Sequence, residues 1–222
     1  DNAQMLPIFA AALTLGQDDL FHGTMSGMAD WMQTTLLTPE GAFVAGEDGE
    51  SHGQNGQYFL WRREQLKKLL SEDEYLLVET LFGLDKLANV GNYWNLHRHD
   101  SYRSVVDRLS MTADEADALL ASAKRKMAAT RLESETPPAV DRKVITAWNG
   151  LAIKGLADAG RLANRPDWTT LADNCADFIR KHCWDKETLY STWHEGGLGH
   201  AACLDDYANV LAGLESLLQC HW

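Results

Sequence analysis

The sequence predicts an all-α chain built from repeated helical hairpins, with a helical subdomain inserted at about residues 44–140. Three observations predict it. Three stretches pair a short polar or aromatic head with a helix of small and aliphatic residues: Asp1-Asn2-Ala3-Gln4 before Met5–Leu13, Asp141–Gly150 before the helix that follows it, and Leu204-Asp205-Asp206-Tyr207-Ala208 before Asn209–Leu214. A helix apolar on nearly every side is a buried helix. The second observation is an internal repeat. Setting Asn2 on Asn149 carries Phe21 onto Trp168, Met28–Met32 onto Cys175–Ile179, Glu40 onto Glu187 and Phe43 onto Tyr190. The third is the start of a further copy, in which Asp206 takes the place of Asn149. Helix-pair repeats cannot bury their faces alone, so they stack or close into a ring. The polar heads then face one shared space.

The first head leads into an inner helix through Leu13. Its outer partner carries Phe21, Met25, Met28, Met32 and Leu36 on one face at helical spacing. The insertion opens with Gly46–Gly53, polar and glycine-rich, hence a loop. Gln57-Tyr58-Phe59-Leu60-Trp61 has the composition of a short strand. Arg62–Leu70 and Ser71–Phe82 read as helices, and Thr112-Ala113-Asp114-Glu115 as a capping box for a helix through about Ala129. Glu133–Pro138 is a linker, since Pro137-Pro138 forbids helix before Asp141. The second outer helix starts at Pro166-Asp167 and presents Trp168, Leu171, Cys175, Phe178 and Ile179 on one face.

Composition narrows the function. Of 222 residues, 45% are hydrophobic, ample for a core, and net charge is -12. No Lys or Arg occurs before Arg62 or after Lys186. Nucleic acid and anionic membranes are therefore not expected partners. No C-x-x-C joins Cys175, Cys183, Cys203 and Cys220, so no redox dithiol, metal or cofactor is expected, and a reducing, cytoplasmic setting is. The chain does not start with Met and stops in mid-repeat, so a processed or truncated chain is expected.

Converging inner helices would gather Asn2, Asp141, Trp148, Asn149, Asp205, Asp206 and Tyr207, and the loop after the second outer helix would add Trp193 and His194. Sugar C–H faces pack on aromatic rings, and sugar hydroxyls bond to carboxylates and amides. Glycoside cleavage uses two carboxylates, one raised in pKa. Asp141 and Asp206 are the candidate catalytic pair. Asp206 is preferred to Asp205 because it aligns with Asn149 and Asn2. A histidine such as His194 suits epimerase-like acid/base work. Each residue also has a plain reading: Asp205 or Asp206 as a helix cap, Asp141 as an ion-pair partner, Trp148 as core, the asparagines as bridges between helix starts.

The motifs Asp1-Asn2-Ala3-Gln4, Gly41-Ala42-Phe43 with Glu47-Asp48, Tyr58-Phe59-Leu60-Trp61, Asp141–Leu151 and Leu204–Ala208 fall in the order of a known family. The chain resembles the YyaL-type proteins, which include mammalian spermatogenesis-associated proteins. That resemblance implies an (α/α)6 toroid of the six-hairpin glycosidase kind, preceded in the family by a thioredoxin-like domain, with a sugar-type pocket. Here the ring is incomplete, with three inner and two outer helices, and self-association would complete it. The family's acidic loop reads Glu-Asp-Ala-Asp-Ser, against Glu47-Asp48-Gly49-Glu50-Ser51 here. A hydrolase or epimerase is one expectation. The alternatives are a non-catalytic module that binds a ligand or client beside a thioredoxin-like domain, and a structural piece without a site.

Overall fold

The computed structural model describes residues 1–16, 19–51, 54–133 and 137–221. Its helices are α1 (Asn2–Leu13), α2 (Asp19–Trp31), α3 (Arg63–Leu69), α4 (Glu72–Phe82), α5 (Tyr102–Arg108), α6 (Ala113–Leu132), α7 (Thr146–Leu162), α8 (Pro166–Phe178) and α9 (Leu204–Leu218). Short strands lie between them: β1 (Gly46–Glu47), β2 (Glu50–Ser51), β3 (Gln54–Asn55), β4 (Val140–Asp141), β5 (Val144–Ile145), β6 (Thr192–His194) and β7 (Gly197–Leu198). The chain is thus an all-α fold of helical hairpins. It divides into two units, residues 1–47 with 140–222, and residues 48–139.

In the first unit α7 is the central helix. It packs on α1 along one side, on α9 along the other and on α8 outside, while α2 covers α1. Eleven residues of α7 are buried, among them Asn149, Ile153 and Leu156, as its apolar sequence predicts. Glycines set how closely its neighbours approach. A Cβ on Gly155 would run into the Ala3 carbonyl oxygen of α1. One on Gly150 would stand 2.5 Å from the Asn209 carbonyl carbon of α9, and one on Gly213 2.6 Å from the Gly150 carbonyl oxygen. Backbone therefore touches backbone on both sides of α7.

The repeat holds in three dimensions. Both outer helices end in a π-type turn, Met32–Leu36 after α2 and Ile179–Cys183 after α8, at the positions that the self-alignment equates. Met25, Ala29 and Met32 of the first copy, and Trp168, Cys175, Phe178 and Ile179 of the second, fill one core. Pro166 opens α8, and the Arg165 guanidinium spans both Asp167 oxygens at 2.9 and 2.6 Å while lying 4.3 Å from the Trp168 ring centroid. The small sheets were not foreseen. β1 pairs with β4 (Gly46↔Asp141, Glu47↔Val140), and β5, β6 and β7 form one antiparallel sheet. Strands of two or three residues are too short to show an alternating pattern.

The second unit has α4 and α6 as its pair. Ser71 caps α4 and Thr112 caps α6, each in a capping box with the Glu three residues on. The Thr112 box is the one the sequence predicts. Leu66, Val78, Leu84 and Ala123 form one buried cluster, Leu77, Leu81, Val105 and Ala116 another. Helix α5 was not foreseen. The strand expected at Gln57–Trp61 is instead a 3-10 turn over Gln57–Phe59, entered from Gly56 at φ 76°. The left-handed Gly56 turns the chain out of extended geometry, and Trp61 forms a bridge with Trp94. Of the two linking stretches expected from composition, residues 52–53 and 134–136 lie outside the described residues.

Glu74 ties the pair together. It is buried, and Lys126 Nζ lies 2.6 Å from its Oε2. Burial alone would raise its pKa. Hydrogen bonds from Lys126, Ser122 and the Ser71 backbone, with the Lys126 charge, outweigh that and lower it from 4.5 to about 2. A depressed carboxylate contributes stability above its unfolded pKa and loses it as pH falls through the folded one. The full shift corresponds to roughly 3 kcal/mol. Solvent screening at Lys126, 42% exposed, reduces this to about 2 kcal/mol. Glu74→Gln is expected to destabilise the chain by about that amount at pH 7 and to flatten the stability profile between pH 4.5 and 2, measured by denaturant unfolding.

Candidate functional site

The starts of α7 and α9 adjoin. The Ala147 N–H donates to Asp206 Oδ1 at 3.0 Å, and the other oxygen, Oδ2, accepts from the Cys203 N–H at 2.9 Å. Asp206 is 1% exposed. Its carboxylate therefore serves two backbone donors, one at its own helix start and one at the neighbour's. That is the capping reading, extended across two helices.

Asn149 does the same work one copy earlier. It is 1% exposed. Its Oδ1 accepts the Phe43 N–H at 2.8 Å, and its Nδ2 donates to the carbonyls of Phe43 and Ile145, each at 2.9 Å. The Cys175 thiol also points at Oδ1, at 3.1 Å. Asn149 thus fastens the loop after the first outer helix to α7. Thr146, which sequence reading passed over, is its companion. Fully buried, it donates from Oγ1 to the Tyr190 carbonyl at 2.6 Å. A threonine opening a helix gives no sign in sequence that its partner stands so far along the chain.

Around these buried braces stand exposed groups. Trp148 is 53% exposed although it lies on the most buried helix, and Tyr207 is 44% exposed. Asp205 is exposed and Asn2 half-buried. Chain neighbours of a bonded pair, Ala147 and Asp206, place Trp148, Asp205 and Tyr207 at the adjoining starts of two inner helices.

Asp141 stands on β4 with its carboxylate exposed. Oδ1 accepts the Lys143 N–H at 3.1 Å, and Oδ2 lies 3.1 Å from Lys143 Nζ. These Lys143 contacts, backbone first, hold its carboxyl below the usual range, with His194 adding a smaller pull. A lowered carboxyl stays ionised at neutral pH, which suits a base or a hydroxyl acceptor and not an acid. Among the described residues no ion pair or hydrogen bond joins Asp141 to Asp206. Trp193, partly buried, packs edge-on against Phe178 of the core, ring centroids 5.3 Å apart, while His194 beside it is exposed.

Thiol chemistry has little support at the buried cysteines. Burial pushes the Cys175 thiol well up and the Cys183 thiol up to about 11. Cys203, Asp205 and Asp206 bring ligand atoms within 4.8 Å of one another. Both Asp206 oxygens accept backbone N–H bonds, so the helix start itself accounts for this grouping.

No family model matches the chain. Curated relatives align over nearly all of it. Spermatogenesis-associated protein 20 of Rattus norvegicus is 26% identical, over 99% of this chain and 32% of its own length. The Homo sapiens protein of that name is 25% identical over 99% of this chain. An uncharacterised protein of Caenorhabditis elegans is 25% identical over 98% of this chain and 34% of its own length. The chain spans about a third of the length of the curated relatives it matches. The resemblance that the motifs carry is thereby borne out: the chain is a relative of the spermatogenesis-associated proteins.

Proposed function

We propose that this relative of the spermatogenesis-associated proteins binds a sugar-like small molecule at the starts of its inner helices. The observation that carries the reading is Trp148, a half-exposed indole on a mostly buried helix, whose neighbour Ala147 is hydrogen-bonded to Asp206, the residue between Asp205 and Tyr207. An indole face stacks on sugar C–H groups, and an exposed carboxylate and phenol accept or donate to hydroxyls. In this reading Asp141 and His194 are the proton-handling groups of a hydrolase or epimerase, and Asp206 and Asn149 position the helix starts that carry the binding groups.

The second reading, a non-catalytic binding module, is favoured by one observation. Lys143 holds the Asp141 carboxyl below its usual range, which does not suit an acid, and both Asp206 oxygens accept backbone N–H bonds. Among the described residues no helix is long and apolar enough to cross a membrane. All four cysteines are free thiols, which supports a reducing, cytoplasmic setting.

Each tryptophan indole N–H gives its own NMR signal, so a sugar panel can be read residue by residue. A saturable shift is expected in the one signal that Trp148→Phe deletes. Product formation would then separate the two readings. No shift of that signal with any mono- or disaccharide would overturn both. Sedimentation of the same samples tests self-association through the apolar stripe Leu204, Tyr207, Leu211, Leu214 and Leu218 of α9, all exposed. A dimer is expected, and a monomer at every concentration would exclude it.

A further inference from the structure

The segment Gln57–Trp61, distinctive in sequence and unused above, borders two clefts of the second unit. The larger, about 610 Å³, is lined by Leu60, Arg62, Glu64, Lys68 and Tyr93 among others. The smaller, about 200 Å³, is lined by Trp61, Thr130 and Arg131. Gln57, Leu60 and Gln65 line both, so they are halves of one groove.

We infer that this groove binds an oxyanion, a phosphate ester or carboxylate carried by a small polar molecule. Its size falls in the range of small-ligand sites. Its two arginines are fixed in advance on aromatic faces. The Arg62 guanidinium lies 4.7 Å from the Tyr93 ring centroid and donates to Tyr93 Oη at 2.6 Å. The Arg131 guanidinium lies 5.3 Å from the Trp61 ring and donates to the Phe59 carbonyl at 2.9 Å. A stacked guanidinium loses little further freedom when its planar edge meets an oxyanion. Lys68 adds its charge to that of Arg62, and among the described residues Glu64 is the carboxylate that lines the groove. This concentration of positive charge stands in a chain of net charge -12 that has no Lys or Arg before Arg62. The same net charge repels an extended polyanion at distance, which favours a small ligand over a nucleic acid.

The test uses the full chain, calorimetric titration with inorganic phosphate and separately with malonate in low-chloride buffer, and thermal melts to confirm folding. Saturable binding of at least one anion is expected, and which one binds names the oxyanion class. Arg62→Ala and Lys68→Ala should each weaken it about tenfold, the scale of one charge-assisted hydrogen bond. Lys67→Ala, on the same helix and outside the groove lining, should leave it unchanged, and Arg62→Lys should retain part of it. No saturable binding of either anion, or equal weakening by Lys67→Ala, overturns the inference. Neither result bears on Trp148, because sugar binding is read from a different signal and residue.

Discussion

Gly155→Ala is expected to destabilise the chain by about 3 kcal/mol or more, the upper range for overpacking, although alanine is the better helix former by about 1 kcal/mol. The two effects oppose, and sterics win. The new methyl group would meet the Ala3 carbonyl oxygen, which is backbone and has no rotamer to change. Relief would need α1 to move away from α7, opening the core around Leu6, Ala10, Ile153 and Leu156. Gly150→Ala should act similarly on α9, against Asn209 and Val210. Gly23→Ala is the control. Its Cβ would meet nothing within 4 Å, so the helix propensity gain of up to about 1 kcal/mol should be all that remains. Chemical denaturation of the three variants checks the ordering. A neutral Gly155→Ala would mean that the α1–α7 contact is looser than described.

Asp206→Asn should cost about 2–4 kcal/mol. An asparagine has one acceptor oxygen where two are needed. Its amide can satisfy the Ala147 N–H or the Cys203 N–H, and then turns an NH2 group toward the other. Asp205→Asn, one residue away and exposed, should stay within about 0.5 kcal/mol. In any turnover assay the two variants must be compared at temperatures where both are folded. A stable Asp206→Asn that lost activity would restore Asp206 as a reacting group. An unstable one is the expected result.

What was legible in the sequence follows from periodicity and equivalence. Three apolar helices with polar heads gave away the inner row, but burial on most sides holds for α7 alone: α1 buries Leu6 and Ala10, and α9 leaves Leu204, Leu211, Leu214 and Leu218 exposed. Aligning Asn2, Asn149 and Asp206 identified a shared structural job: two of them, buried, each hold a backbone N–H of another element. The same alignment could not tell a brace from a catalyst, since a carboxylate at a helix start looks identical in either role. Trp193 was equally ambiguous. Its setting against Phe178 depends on a loop turning back on the helix before it, which no local pattern encodes. Gly150 and Gly155 of α7 were visible, but what they touch was not, because each contact spans a long stretch of chain.

The antiparallel pairing of β1 with β4 holds Glu47 opposite Val140, so the whole of residues 48–139 leaves and rejoins the first unit at one spot. This has a kinetic consequence. The core of the first unit needs α1 and α2 from before that segment and α7, α8 and α9 from after it. While the segment is unfolded, bringing those halves together closes a loop of roughly 90 residues, an entropic cost of about 4 kcal/mol beyond a constant term. Once the neck has formed, with the Asp48 N–H donating to the Ala139 carbonyl at 2.7 Å beside the β1–β4 pair, that cost is largely already met. The insert is therefore expected to speed assembly of the helices on either side, which the refolding rate of a variant with its core disrupted checks. Damage confined to it would show itself as slow assembly of residues 1–47 with 140–222, a part of the molecule whose own sequence is unchanged.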